Sequence, residues 1–165
     1  MTRLEEPKAG YKTFEEMLSQ DGYLVYTNVG GSMLPLLRER RDIIEIRPKT
    51  FPRCKKYDVV LYRRGDMYIL HRILRVLPNG YIIAGDYNTF LERDITDAQI
   101  LGVMTRVIRD GKIVTPDNFW YRCYVRLWCA PYPVRIFILR CVRKLRSIAG
   151  RIRRLGKGES GRPEP

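Results

Sequence analysis

A chain of 165 residues, 45% of them apolar, has room for one domain with a single core plus a tail, and is too short for several domains. Its net charge of +13 first suggests a nucleic-acid binder, but residues 118–157 hold nine Arg and two Lys with no Asp or Glu, which leaves only +3 on residues 1–117. The basic character therefore belongs to an appendage, and the nearly neutral body in front of it is not a nucleic-acid surface.

Cys54, Cys123, Cys129 and Cys141 have no C-x-x-C spacing and no histidine nearby, so neither a zinc site nor any other cofactor is expected. The opening Met1-Thr2-Arg3-Leu4-Glu5-Glu6-Pro7 is polar. That predicts no signal peptide, and hence reduced thiols in a cytoplasmic protein.

Residues 1–12 read as a loose polar lead. Thr13-Phe14-Glu15-Glu16 then reads as a capping box that opens a short helix, with Gly22 as its left-handed C-terminal cap. Tyr23 to Val29 is rich in β-formers and delivers the chain to Gly30-Gly31-Ser32-Met33-Leu34-Pro35. A charged turn, Arg38 to Asp42, precedes a strand at Ile43 to Arg47 that Pro48 stops. Asp58 to Tyr62 and Met67 to Leu77 form a hairpin about Gly65-Asp66, and Pro78-Asn79-Gly80 turns the chain into Tyr81 to Ala84. Gly85-Asp86-Tyr87-Asn88 ends that strand, Thr89 to Gln99 reads as a polar loop, and Ile100 to Ile108 and Lys112 to Thr115 close the sheet around Asp110-Gly111. Many short strands at hairpin spacing predict a mainly β domain of coiled or barrel-like antiparallel form.

Two stretches carry chemistry. Ser32 stands on a Gly-rich turn between apolar runs, and His71, the chain's one histidine, stands inside a β-like run. A serine hydroxyl becomes a nucleophile when a neighbouring base takes its proton, so the two make a nucleophile and base pair. Ser after Gly-Gly is also ordinary turn chemistry, and a lone histidine in an apolar run is often structural. By alternation His71 shares a face with Ile69 and Ile73. Apolar surroundings disfavour an imidazolium, which would keep the ring available as a base at neutral pH.

Taken together, Gly31-Ser32-Met33-Leu34-Pro35, Tyr57 to Tyr62, Leu70-His71-Arg72-Ile73 and Gly85-Asp86-Tyr87-Asn88 resemble, in type and order, the signature blocks of type I signal peptidases and the related self-cleaving SOS-type repressor peptidases. The resemblance covers residues 22–110. It implies that Ser32 is the nucleophile and that His71 replaces the lysine base of the bacterial enzymes, as in the archaeal and endoplasmic-reticulum branch. It also implies that Asp94, or after it Glu92, is a third catalytic acid, with Asp86 open between a catalytic and an orienting role. Backbone amides of Gly30 and Gly31 would stabilise an oxyanion, and Met33 and Pro35 would flank a bound substrate. One feature departs from the signal peptidases: no apolar transmembrane stretch precedes Ser32.

The basic segment from Phe119 carries Trp120, Tyr121, Tyr124 and Trp128 among its arginines, and its Pro131-x-Pro133 forbids one continuous span. Two amphipathic helices are predicted, one before Pro131 and one from Pro133 to about Leu155. Val134, Phe137, Ile138, Cys141, Leu145 and Ile148 form an apolar stripe with arginines largely off it. An interfacial helix on anionic lipid is the first expectation. A helix packed on the domain or on a partner is the second, and nucleic acid the third.

The organisation expected is thus a lead and short helix over 1–21, a β peptidase domain over 22–117, a basic amphipathic segment over 118–157 and a tail over 158–165. The function expected is a serine endopeptidase that cleaves a signal- or leader-type peptide. The alternative is a catalytically idle relative that binds peptides or an anionic membrane surface.

Overall fold

The computed structural model describes residues 3–4 and 13–158, with side chains over 13–151. Of the polar lead read over 1–12 only Arg3–Leu4, a short strand, is described, and of the tail read over 158–165 only residue 158; the rest of both lies outside the described residues. Nine strands form one mixed-length antiparallel sheet: β1 (Arg3–Leu4), β2 (Leu24–Thr27), β3 (Ile43–Arg47), β4 (Val59–Arg64), β5 (Met67–Leu77), β6 (Gly80–Ala84), β7 (Glu92–Ile95), β8 (Ile100–Arg109) and β9 (Lys112–Val114). The main path runs β2-β3-β8-β4-β5-β6-β7, with β1 added to β5 and β9 to β8.

The sheet is open, with β2 and β7 at its two ends, so the barrel-like expectation is corrected to a coiled open sheet. Pairing register shifts at Glu45/Ile46, Leu61/Tyr62, Ile73/Arg75 and Tyr81/Ile83. Such bulges bend and twist a strand without closing the sheet.

Helix α1 (Phe14–Asp21) starts as predicted. Thr13 Oγ1 accepts from the Glu16 amide at 3.2 Å, and the Thr13 amide donates to Glu16 at 3.0 Å. Gly22 ends the helix at φ 74°, which few other residues adopt without strain. Phe14 seats α1 on the sheet by edge-to-face contacts with Tyr26 and Tyr68. Losing such a buried ring costs about 3–5 kcal/mol.

The β4–β5 hairpin separates two apolar clusters. Val59, Leu61, Tyr68 and Leu70 enter the main core with Phe14, Met33, Leu37, Ile44 and Met104. Val60, Tyr62, Ile69 and Ile73 join Tyr81, Ile83, Ile95 and Ile100 on the other face. His71 stands opposite Val60 and Arg72 opposite Val59. Both faces of β5 are therefore covered, and Tyr68 to Leu74 is buried without a break.

The C-terminal segment forms α2 (Phe119–Tyr124), a π-helical turn (Val125–Cys129) and α3 (Tyr132–Gly158). Pro131 separates the two helical pieces, as expected from its missing N–H. The first half packs on the sheet: Tyr121, Val125 and Cys129 belong to the main core. On α3, Arg135 and Leu139 are buried, whereas Val134, Phe137, Ile138, Leu145 and Ile148 are exposed. Among the described residues no helix is long and apolar enough to cross a membrane.

Candidate active site

The serine loop is fixed before any catalytic contact is made. Met33 and Leu37 are buried in the main core, and the loop closes through bonds from Leu37 to Met33 and from Arg40 to Asn28. Asp42 anchors its far end, accepting from the Arg38 amide at 2.8 Å and from Arg109 Nε at 3.0 Å. Burial alone would raise the Asp42 pKa, but Arg109 and Arg38 outweigh it and hold the carboxyl below its usual range. Ser32 is 4% exposed, and its carbonyl accepts from the Tyr87 amide at 2.7 Å.

Across from this loop, β5 presents His71, which is fully buried. Ser32 Oγ lies 3.0 Å from His71 Nε2, and Glu92 Oε1 lies 2.9 Å from His71 Nδ1. A carboxylate can only accept, so Nδ1 carries the proton and Nε2 is left to accept from the serine hydroxyl. Tyr62 brings its hydroxyl 3.2 Å from Nδ1, and Arg64 pairs with the second oxygen of Glu92. Burial opposes the charge on Glu92, yet hydrogen bonds from His71 and Tyr62 and the charge of Arg64 hold its pKa below the ordinary glutamate value. Burial, followed by the Glu92 charge, pushes the Tyr62 phenol far up, so it stays a neutral donor.

The other expected residues lie around this pair as follows. Asp94 is exposed, has φ 62° and lines a small cleft with Pro78, Asn79 and Tyr81. Glu92 and Asp94 would share a face in a regular strand, but the left-handed residue and the shifted register of β7 separate them. Asp86 faces away from the imidazole and is bound bidentately by Arg72, with Nη2 to Oδ2 at 2.7 Å and Nε to Oδ1 at 2.9 Å. The Gly30 amide donates to Glu39 at 3.0 Å rather than towards the serine hydroxyl. The Gly31 carbonyl accepts from the Leu34 amide. Met33 has no exposed surface, whereas Pro35 is exposed and follows a cis peptide bond.

Asn88 adds a donor the motif alone did not assign. Its Nδ2 lies 3.4 Å from His71 Nε2, the same nitrogen that Ser32 Oγ approaches, and the residue is buried. Tyr62 and Arg64 were also missed, although the two-residue turn at Gly65-Asp66 sets Tyr62 opposite Ile69 and so on the histidine's face.

A cleft of about 420 Å³ is lined by Phe51, Arg53, Cys54, Val103 and Pro116 and includes neither Ser32 nor His71. All four cysteines are free. No cluster of three His, Cys, Asp or Glu able to hold a metal is found among the described residues. Comparison of the chain with protein-family models, with characterised proteins and with solved structures gives no match.

Proposed function

We propose that this protein is a serine endopeptidase of the signal-peptidase type, with Ser32 as nucleophile, His71 as general base and Glu92 as the acid that orients and charges the base. The observation that carries the reading is the buried chain Ser32 Oγ, His71 Nε2, His71 Nδ1, Glu92 Oε1, in steps of 3.0 and 2.9 Å. Each polar atom has the partner its role needs.

In the reaction, Ser32 Oγ attacks the scissile carbonyl while its proton passes to His71 Nε2. The new imidazolium donates that proton to the leaving amine as the C–N bond breaks. Water then adds to the acyl ester by the same route in reverse and frees Ser32. Asn88 Nδ2 is the side-chain donor placed to meet the oxyanion beside Oγ. The substrate on this reading is an extended signal- or leader-type peptide added as a strand to an edge of the open sheet.

Cleavage of a peptide library by the full chain tests this. Hydrolysis that vanishes in both Ser32→Ala and His71→Ala supports the enzyme, and hydrolysis unaffected by either substitution removes the assignment.

A second reading concerns place. The outward apolar stripe of α3, with Phe137 69% and Leu145 66% exposed, together with the +11 charge of residues 118–157, supports peripheral attachment to an anionic membrane surface. It would apply equally to a catalytically idle, membrane-binding relative. Cosedimentation with anionic but not neutral vesicles, weakening with salt, is the expected result; equal binding to both, or to neither, would leave α3 as a packed helix only.

A further inference from the structure

We propose that Trp128 and Tyr124, on the C-terminal segment, are positioning residues that hold the Gly85–Asn88 turn against the catalytic serine. The catalytic part of this inference rests on the peptidase reading; the structural part does not.

The turn has two sides. Towards the serine, the Tyr87 amide donates to the Ser32 carbonyl at 2.7 Å, and Gly85 packs so closely that an added Cβ would meet Ser32. Away from the serine, Trp128 Nε1 donates to the Asp86 carbonyl oxygen at 3.1 Å, and Tyr124 donates to Asp86 Oδ2 at 2.9 Å. Cys129 adds a thiol 3.6 Å from Asp86 Oδ1.

The Asp86 carbonyl and the Tyr87 amide belong to one peptide unit. That unit is planar, and its C=O and N–H point in opposite directions. One rigid plate therefore receives Trp128 at one end and grips Ser32 at the other, and the two hydrogen bonds polarise each other along the plate. Tyr124 and Arg72 fix the Asp86 side chain and so limit rotation of the plate about its neighbours. A serine displaced by a fraction of an ångström from His71 loses its proton path, so the C-terminal segment has a direct route to the reaction rate.

This role belongs to individual hydrogen atoms, which separates it from ordinary packing. Trp128→Phe keeps an aromatic ring but removes the N–H that reaches Asp86 together with part of the indole's packing area, so Tyr124→Phe, which removes only the hydroxyl that reaches Asp86 Oδ2, is read beside it. Trp120 is 76% exposed and makes no side-chain hydrogen bond to the turn, so Trp120→Phe is the control.

The test uses the full chain and two readouts: hydrogen exchange of the Tyr87 amide by NMR, and kcat and KM on a cleaved peptide. For Trp128→Phe the expected result is at least tenfold faster Tyr87 exchange and a kcat about tenfold lower, with KM within about twofold. Trp120→Phe should match the wild type in both. Should Trp128→Phe fail to fold, Tyr124→Phe is read in its place. Unchanged Tyr87 exchange, or an unchanged kcat in an active protein, overturns the proposal. If the wild type cleaves nothing, the peptidase reading falls alone, and the exchange result still decides whether Trp128 holds the turn.

Discussion

Gly85 lies directly against Ser32: a Cβ at position 85 would sit 2.6 Å from the Ser32 carbonyl oxygen and 3.0 Å from the Ser32 Cβ. The oxygen is main chain and is already gripped by Tyr87, so it cannot move aside without moving the nucleophile. Gly85→Ala should therefore lower kcat/KM by about 100-fold, at a stability cost of about 1–3 kcal/mol from overpacking. Kinetics and a urea melt on the same sample check both numbers. Wild-type kcat/KM in this variant would mean that the turn yields freely.

Glu92, rather than Asp94, should behave as the third member of the site. On the peptidase reading, Glu92→Gln replaces the charge that fixes the Nδ1–H form of His71 and should cut kcat by about 10,000-fold, as loss of the orienting acid does in a Ser-His-Asp triad. Asp94→Asn, at an exposed position beside Pro78, should change kcat by less than about twofold. Steady-state rates on one peptide settle the order, and the reverse ranking would return Asp94 to the role first expected of it.

Arg72, Asp86 and Arg135 set a second kind of test, because all three side chains are fully buried. Asp86 accepts from Arg72, while the guanidinium nitrogens of Arg135 have no hydrogen-bond partner and Nη1 lies 3.6 Å from Asp86 Oδ1. Removing one partner from a buried pair strands the other charge and costs about 3–5 kcal/mol. Asp86→Asn strands two guanidinium groups and should be the most damaging, followed by Arg72→Met. Arg135→Met, which removes a cation with unmet donors, should lie within about 1 kcal/mol of wild type. Denaturant unfolding ranks the three; an Arg135→Met variant as unstable as Asp86→Asn would contradict this balance of charges.

Much of this arrangement was legible before any coordinates. The capping box at Thr13 and Glu16, the hairpin at Gly65-Asp66 and the full extent of Met67–Leu77 follow from local chemistry that the tertiary structure leaves unopposed. Ser32 and His71 come together as their motifs imply. What sequence could not give was β7. Glu92-Arg93-Asp94-Ile95 has three charged residues in four, reads as loop, and becomes a strand because β6 offers it an edge. The identity of the third acid depended on that irregular strand. The C-terminal segment is harder to read for a related reason: Arg122, Arg126, Arg140, Arg143, Arg146 and Arg151 are exposed while Arg135 is buried, and the residues that enter the core, Tyr121, Val125 and Cys129, are spaced by four and look like any amphipathic stripe.

Acid should weaken the fold through carboxylates that are partnered in the native state. Asp42, Glu45, Glu92 and Asp97 all lie below their ordinary values of 3.8 for Asp and 4.5 for Glu, in each case because basic or hydrogen-bonding partners outweigh the effect of burial. A carboxyl with a depressed folded pKa stabilises above its unfolded value and loses that contribution as pH falls through its folded one. Asp58 works the other way, since burial raises it and its cost grows as pH rises past 3.8. Melting temperature should thus fall steeply below about pH 4, and Asp42→Asn should flatten the slope. A melting temperature constant from pH 6 to pH 2.5 would contradict this account.

The central claim is that Ser32 is a nucleophile activated by His71, and covalent capture tests it most directly. The full chain is treated with a fluorophosphonate, which reacts with activated serines and spares ordinary ones, and the adduct is located by peptide mapping in a mass spectrometer. The account predicts one phosphonyl group per chain on Ser32, none on Ser32→Ala, and labelling at least 100-fold slower on His71→Ala, in line with loss of the general base. Label that persists in Ser32→Ala, or a wild-type Ser32 that stays unmodified at saturating reagent, would contradict it.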